Sequence, residues 1–253
     1  MGIDCVLFER LVTLSGQGLS PKRAVMLGRQ GLKIERAHAR RYSEALKRAG
    51  LDMSRFELLQ DDGFSETMFR KLGFGDMEAA DFSDYEGATI LQDLNEPLEP
   101  GLAGQFDFIF DGGTIEHVFN VPQALDNVFR MLAPGGVFVS ANGLNGWAGH
   151  GLYQFNPELV WTYWRRARGC EVLTCVGLPK DPTKPAVVFP DPADRGVRLR
   201  LNGRLPEGRV YLYYEIRKTE DADRAAPVLQ SDYAVKWADR GSKTAANAQG
   251  VLQ

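Results

Sequence analysis

Cysteine, histidine and long apolar runs are all scarce in this sequence. Its 253 residues include three cysteines and three histidines. Three cysteines are too few for a disulfide framework and too sparse for a zinc site, and three histidines leave little material for a histidine-based site, so we expect no bound metal. No apolar run approaches the ~20 residues that span a bilayer, and we therefore expect no membrane partner.

The sequence also lacks a strong excess of charge. The net charge is −3 at pH 7, which gives no general attraction to nucleic acid or to an anionic membrane. The first residues lack the basic start and the apolar stretch of a signal peptide. Together with the few cysteines, this favours the reducing cytoplasm.

What the sequence does contain is an alternation of apolar runs and helical patterns. Strands are predicted at 23–28, 78–82, 88–94, 106–111, 137–141, 171–176 and 209–216, and helices within 1–20, 32–50, 121–132 and 156–167. Such alternation predicts an α/β fold with a doubly wound, mostly parallel seven-stranded sheet. The last strand follows a proline-rich loop at 179–192, which suits an antiparallel addition. Ligands of such sheets bind at the carboxyl ends of the strands.

Two segments fall outside this alternation. Residues 51–75 are polar with short apolar clusters and predict a helical insertion. Residues 218–253 are polar and alanine-rich and predict a partly ordered C-terminal tail. We therefore assign 1–217 to the main domain and leave open a homodimer formed through the N-terminal segment or the tail.

Two motifs in the centre of the chain carry a family resemblance. The turn IEHV at 115–118 follows a predicted strand, and LAPGG at 132–136 ends the next helix. At this spacing the chain resembles the class I S-adenosylmethionine-dependent methyltransferases over residues 20–217. The resemblance implies a Rossmann-like fold, S-adenosylmethionine as cofactor and a small-molecule acceptor. Residues 149–158, GHGLYQFNPE, resemble bacterial methyltransferase-like proteins linked to surface sugars, which implies a sugar or nucleotide-sugar acceptor.

The resemblance also implies where the cofactor is held. The implied positions are Gly28, Arg29, Gln30, Asp81, Phe82, Asp93, Leu94, Asn95, Asp111 and Gly112. The carboxylate of Asp81 would accept hydrogen bonds from both ribose hydroxyls, with Phe82 against the adenine. Residues 93–95 would hold the adenine amino group. The turn at 111–113 would pass close to the methionine part, since glycine lets the backbone approach a ligand.

The first glycine-rich turn departs from the family pattern. Met26 stands where a carboxylate usually holds the methionine amine, and Gln30 replaces the second glycine. Either Gln30, Asp111 or another polar group takes over that contact, or the chain is a non-catalytic binding protein. A nicotinamide-dependent oxidoreductase fits less well, because the residues after Gly28 lack the Gly-x-Gly-x-x-Gly spacing.

Four residues are candidates for the chemical step. Glu116 and His117 form a general acid/base pair if they face the acceptor, since histidine titrates near neutral pH. One alternative is that the pair places a metal near the substrate, which is less favoured because only Asp111 and Glu116 stand nearby as oxygen ligands. The other is that Glu116 hydrogen-bonds the turn and His117 lines the start of a helix. His150 and Tyr153, in a glycine-rich loop, are predicted substrate contacts, with Trp147 as a pocket wall.

Overall fold

The computed structural model describes residues 2–223 and 226–238, and an eight-stranded sheet forms its centre. The strands are β1 (Gly2–Ile3), β2 (Ala24–Leu27), β3 (Gly31–Leu32), β4 (Met77–Asp81), β5 (Ile90–Leu91), β6 (Phe106–Asp111), β7 (Leu132–Asn145), β8 (Glu171–Pro179), β9 (Val187–Val188) and β10 (Val210–Arg217). The main sheet has the order β5-β4-β2-β6-β7-β10-β8-β9, while β1 and β3 pair separately. Strands β5, β4, β2, β6 and β7 pair in parallel, whereas the pairs β7–β10, β10–β8 and β8–β9 are antiparallel.

Helices cover both faces of this sheet. They are α1 (Cys5–Gly16), α2 (Ala39–Arg48), α3 (Glu66–Lys71), α4 (Val121–Met131) and α5 (Pro157–Leu159), which continues as a π-helical stretch, Val160–Ala167. Helix α1 begins at Asp4, whose carboxylate accepts hydrogen bonds from the amides of Val6 and Leu7 and so satisfies donors that the helix leaves unpaired. Helix α4 has a proline in its first turn, where the missing amide hydrogen costs nothing.

Strand β6 shows how the core is divided between the two faces. Phe108 and Phe110 are fully buried with the core of α1, α2 and α3, and Phe69 packs on both. Ile109, between them, belongs to the opposite core with Phe138 and α4. Alternate residues of a strand point to opposite faces, so a run that is buried throughout requires cover on both sides. The predicted doubly wound α/β class is confirmed.

The sheet differs from the prediction in three details. It has eight strands rather than seven because Val187–Val188, inside the proline-rich segment expected to be all loop, pairs with β8. The strand predicted at 88–94 is only Ile90–Leu91. Strand β7 starts at Leu132 and includes the Pro-Gly-Gly that was expected to separate helix from strand. The predicted antiparallel last strand is confirmed by β10.

The segment 51–75 contributes to the core rather than standing apart from it. Phe69 and Phe74 are fully buried against β6. Part of the tail also touches the body of the protein, because Asp232 accepts a hydrogen bond from Arg198. Residues 239–253 lie outside the described part of the chain, and the domain boundary at 217 stays a prediction. None of the helices in the described residues is both long and apolar enough to cross a bilayer.

Candidate active site at the carboxyl edge of the sheet

The carboxyl ends of β2, β4, β5 and β6 meet at one edge of the sheet. Leu27 pairs with both Ala80 and Asp111, and Asp81 pairs with Leu91. Residues that follow these strands in the sequence are therefore neighbours in space. The structure brings the turn at 28–30, the pair Asp81 and Phe82, residues 93–95 and the turn at 111–113 to this edge, as the sequence predicted.

The turn after β2 is closed by the side chain of Gln30, which is 1% exposed. Its amide nitrogen donates to the carbonyl of Leu27 at 2.8 Å and to Thr114 Oγ1 at 3.2 Å. Its Oε1 is buried without a hydrogen-bond partner, and a Cβ placed on Gly112 would lie 2.7 Å from it. Gln30 therefore fills the space between the turns that follow β2 and β6.

Glycine is required at the start of this turn. Gly28 has a φ of +63°, and a Cβ there would lie 2.8 Å from Thr114 Oγ1, which itself donates to the carbonyl of Leu27 at 2.6 Å. A left-handed backbone and a crowded Cβ position both favour glycine. This part of the family pattern is retained.

Arg29 is directed away from the turn and into the insertion. Its guanidinium pairs with Glu66 at 2.6 Å and Asp62 at 2.7 Å, and lies over the ring of Phe64 with 3.9 Å to the centroid. The side chain thus ties the insertion to the edge of the sheet. This side chain is therefore engaged elsewhere, and the predicted cofactor contact of Arg29 would have to come from its main chain.

The turns after β4 and β5 expose groups suited to a nucleoside. Asp81 is half-buried at the strand end and accepts a hydrogen bond from the amide of Phe82 at 2.7 Å. Phe82 is 73% exposed. Asp93 accepts hydrogen bonds from the amide and the side chain of Asn95, which fixes this turn, and Leu94 is buried. An exposed aromatic ring beside a carboxylate whose second oxygen can accept further hydrogen bonds offers both a stacking surface and a hydrogen-bond acceptor.

Asp111 is a buried hydrogen-bond hub. One oxygen accepts from the amides of Gly113, Thr114 and Ile115, and the other from Ser140 at 3.0 Å and Asn142 at 2.6 Å. Burial raises the pKa of this carboxyl, although the hydrogen bonds act in the opposite direction. Asp111 therefore joins the ends of β6 and β7, and its carboxylate is aimed at protein donors rather than at the cofactor side.

Glu116, His117 and His150 come together where β6 and β7 end. The Nε2 atoms of His150 and His117 lie 3.4 Å and 3.9 Å from Glu116 Oε1, and the two imidazole centroids are 5.3 Å apart. Glu116 is buried, while the side chains of His117 and His150 are 44% and 29% exposed. We call these three residues the histidine–glutamate cluster. It unites three of the four residues predicted for the chemical step.

The end of β7 and the loop that follows it bind Glu116 through backbone hydrogen bonds. The amides of Leu152 and Tyr153 donate to the backbone carbonyl of Glu116, and the amide of Gly143 donates to its Oε2. A Cβ on Gly151 would lie 2.9 Å from that same carbonyl, so glycine allows the close approach. These contacts fix the carboxylate with Oε1 toward the histidines.

Tyr153 and Trp147 border the cluster differently. Tyr153 is 36% exposed and its hydroxyl donates to the carbonyl of Phe119 at 2.9 Å. Trp147, expected in a pocket wall, is 5% exposed, and its indole donates to the carbonyl of Val210. Its ring lies 5.0 Å from that of His150. Trp147 therefore packs against His150, while Tyr153 stays accessible to a ligand.

The environment shifts the pKa values of all three cluster residues. Burial, with a smaller effect from the charge of Asp111, raises the pKa of Glu116 to about 7, against the lowering effect of the Gly143 amide. Burial also lowers the pKa of His117 and of His150. A buried carboxyl with a raised pKa that faces two partly exposed imidazoles is typical of functional sites.

Comparison with known proteins agrees with this geometry. Residues 76–140 match the sequence model of the family described as "Methyltransferase domain". No curated protein matches the chain. Doubly wound sheets with ligand-type residues at their carboxyl edge define the Rossmann-like class. The match over residues 76–140 confirms the predicted resemblance to methyltransferases for that part of the chain.

Several solved structures are similar to this chain at low identity. One is the 1,6-didemethyltoxoflavin-N1-methyltransferase of Burkholderia thailandensis, at 15% identity and a TM-score of 0.42 over 84% of this chain and 78% of that one. Another is the N-methyltransferase NodS of Bradyrhizobium japonicum, at 14% identity and a TM-score of 0.40 over 84% of this chain and 94% of that one. A third is a methyltransferase of Archaeoglobus fulgidus, at 11% identity and a TM-score of 0.44 over 85% of this chain and 95% of that one.

Proposed function

We propose that this protein is an S-adenosylmethionine-dependent methyltransferase that acts on a small-molecule acceptor. The observation that carries the proposal is the position of the histidine–glutamate cluster. It follows β6, inside the segment that matches the methyltransferase family, at the edge of the sheet that also presents Asp81 and Phe82. Bound S-adenosylmethionine supplies a methyl group, which passes from its sulfur to the acceptor.

The nucleoside half of the cofactor fits the turns after β4 and β5. Asp81 is placed to accept hydrogen bonds from the ribose, because a carboxylate oxygen can bind each hydroxyl. The exposed ring of Phe82 provides an apolar face for the adenine. Asp93, Leu94 and Asn95 form a fixed turn beside them, where the adenine amino group finds acceptors.

Gln30 affects the binding of the methionine half of the cofactor. The buried, unpartnered Oε1 of Gln30 is an unsatisfied acceptor in the gap between Gly28 and Gly112. For an amino-acid group to enter this gap, Gln30 has to turn aside. The nucleoside therefore fits the turns as they stand, whereas the methionine part fits only after the side chain of Gln30 has moved.

The acceptor is activated beside the histidine–glutamate cluster. As the new carbon–oxygen or carbon–nitrogen bond forms and the carbon–sulfur bond breaks, the acceptor passes one proton to His117 or His150, and the sulfur keeps the electron pair of the broken bond. Glu116, His117 and His150 position and polarise the attacking atom, and the accessible Tyr153 contacts the acceptor. Holding both reactants in line supplies much of the rate. A sugar or nucleotide-sugar hydroxyl is the acceptor class that we favour.

We expect the purified protein to bind S-adenosylhomocysteine with micromolar affinity, measured by titration calorimetry. Asp81→Ala is expected to weaken binding about tenfold or more, because a hydrogen bond to a charged group contributes about 1.5–3 kcal/mol. Asp84→Ala is the matched control: it removes an exposed carboxylate from the same turn and should leave the affinity unchanged. Equal losses in both variants would remove Asp81 from the ribose site.

The buried position of Gln30 favours one second candidate, a methyltransferase-like protein that binds a ligand without methyl transfer. In that case folded wild-type protein gives no heat with either S-adenosylmethionine or S-adenosylhomocysteine. Neither ligand then raises the melting temperature, since a ligand stabilises only the state that it binds. That pair of results would overturn the proposed function.

A further inference from the structure

We propose that the histidine–glutamate cluster binds a divalent transition-metal ion such as Zn²⁺. Two imidazoles and one carboxylate form a donor set that such ions accept, with further coordination positions left open. The sequence predicted no metal, because three histidines left little material for a histidine-based site. The structure adds His150 from a loop that is distant in sequence, and one donor atom of each residue lies within 4.8 Å of the others.

The distances suit a small ion. Donor atoms about 2.0–2.2 Å from a tetrahedral ion stand about 3.3–3.6 Å from one another. The contact between Glu116 Oε1 and His150 Nε2 is 3.4 Å, already in that range, and the contact to His117 Nε2 is 3.9 Å. His117 is the most exposed of the three and adjoins Glu116, so a small rotation of its imidazole completes the set.

The carboxylate is oriented by neighbours, as metal ligands usually are. Glu116 Oε2 accepts the hydrogen bond from the Gly143 amide, which leaves Oε1 facing the imidazoles. The amide of Glu116 donates to Asn142 Oδ1 at 3.1 Å, and Asn142 in turn bonds Asp111. Such outer partners fix a ligand's direction and contribute to metal affinity. The site is thus held on one side by the ends of β6 and β7.

An ion at this position would stay accessible on one side. Both histidines are partly exposed, and Tyr153 borders the same opening. If the proposed methyl transfer is correct, the open position would receive the acceptor's oxygen. The ion would lower the pKa of that hydroxyl, and its proton would then pass to water in place of a histidine. This assignment of an oxygen acceptor rests on the proposed function, whereas the metal site itself does not.

The test is titration of metal-stripped full-length protein with Zn²⁺, and with Co²⁺ as a spectroscopic probe. We expect one site of micromolar or tighter affinity, a visible Co²⁺ absorption band and a raised melting temperature. His117→Ala and His150→Ala should each lower the Zn²⁺ affinity at least 100-fold. Mg²⁺ should bind far more weakly, because imidazole ligands suit Zn²⁺ rather than Mg²⁺.

The chain offers a matched control in His38. Its Nε2 also lies 3.4 Å from a carboxylate, that of Glu35, but in a short helix with no second imidazole. His38→Ala should leave Zn²⁺ binding unchanged. Glu116→Gln retains an acceptor for the Gly143 amide, so it tests the carboxylate with the fold preserved.

Three outcomes are distinguishable. The metal site is overturned if folded wild type does not bind Zn²⁺, or if His117→Ala and His150→Ala bind it as His38→Ala does. Zn²⁺ binding without S-adenosylhomocysteine binding supports the metal site and contradicts the proposed function. S-adenosylhomocysteine binding without Zn²⁺ binding supports the proposed function and contradicts the metal site.

Discussion

Asp111→Ala is expected to lower the free energy of unfolding by about 3–5 kcal/mol, because it leaves several buried neutral donors without their shared acceptor. The carboxylate of Asp111 is fully buried and accepts hydrogen bonds from three amides and from Ser140 and Asn142. Alanine leaves these donors without an acceptor, and each buried, unsatisfied donor costs about 1–3 kcal/mol before water or rearrangement relieves some of them. Urea denaturation monitored by circular dichroism measures the change.

Asp107→Ala is the control on the same strand. Asp107 lies at the opposite end of β6, where its carboxylate accepts from the amides of Lys22 and Arg23 near the surface. Its loss should cost about 1 kcal/mol, since the freed donors reach water. If Asp111→Ala costs no more than Asp107→Ala, the hub does not hold β6 and β7 together.

Asp111→Asn separates the charge from the hydrogen bonds. Because burial raises the folded-state pKa of Asp111 above the ordinary 3.8, this group stabilises the fold fully below that value and loses its contribution as pH rises through the folded pKa. Asparagine cannot ionise but keeps one acceptor oxygen. We therefore expect a smaller loss than with alanine, and a stability that falls less as pH rises above about 4.

Much of the fold follows from local patterns in the sequence. The run FDFIFD has three consecutive apolar residues, Phe108 to Phe110, and ends in Asp-Gly-Gly, which indicates a central buried strand followed by a tight turn. The two-residue β9 was missed because prolines surround it, and pairing of Val187 and Val188 with β8 depends on tertiary contacts rather than propensity.

Strand β7 shows why Pro-Gly-Gly did not separate helix from strand. Leu132 pairs with Phe106 and Val137 with Phe108, with a register shift between them. The three breaker residues occupy this irregularity at the start of the strand. The amide of Gly135 bonds the carbonyl of Lys218, so the chain's C-terminal part completes the pairing.

The candidate site was predictable only in pieces. Asp81, Asp93 and Asp111 were implied by the family resemblance, and the rule that parallel strand ends meet at one edge predicted that they lie close together. The approach of His150 to Glu116 depends on the path of the loop after β7, which glycines allow and no local signal sets. The side chain of Gln30, equally, was recognised as a departure from the pattern, but its burial between two turns is a property of packing.

Gln30→Gly is expected to raise the affinity for S-adenosylhomocysteine about tenfold, which corresponds to about 1.4 kcal/mol. In the wild type, binding of the methionine part has to displace the side chain that bonds Leu27 and Thr114, and the affinity is reduced by the rarity of that open state. Glycine removes the obstacle. Titration calorimetry of both proteins gives the ratio of dissociation constants.

Gln30→Leu is the volume-matched control, because leucine fills the same gap without an amide. If Gln30 acts as an obstacle, the leucine variant binds no better than the wild type and only glycine improves the affinity. If glycine and leucine both weaken binding, the amide of Gln30 contacts the ligand instead. It then takes the role of the carboxylate that the family usually has at the position of Met26. The sign of the change in Gln30→Gly therefore decides whether the altered turn impedes the cofactor or binds it.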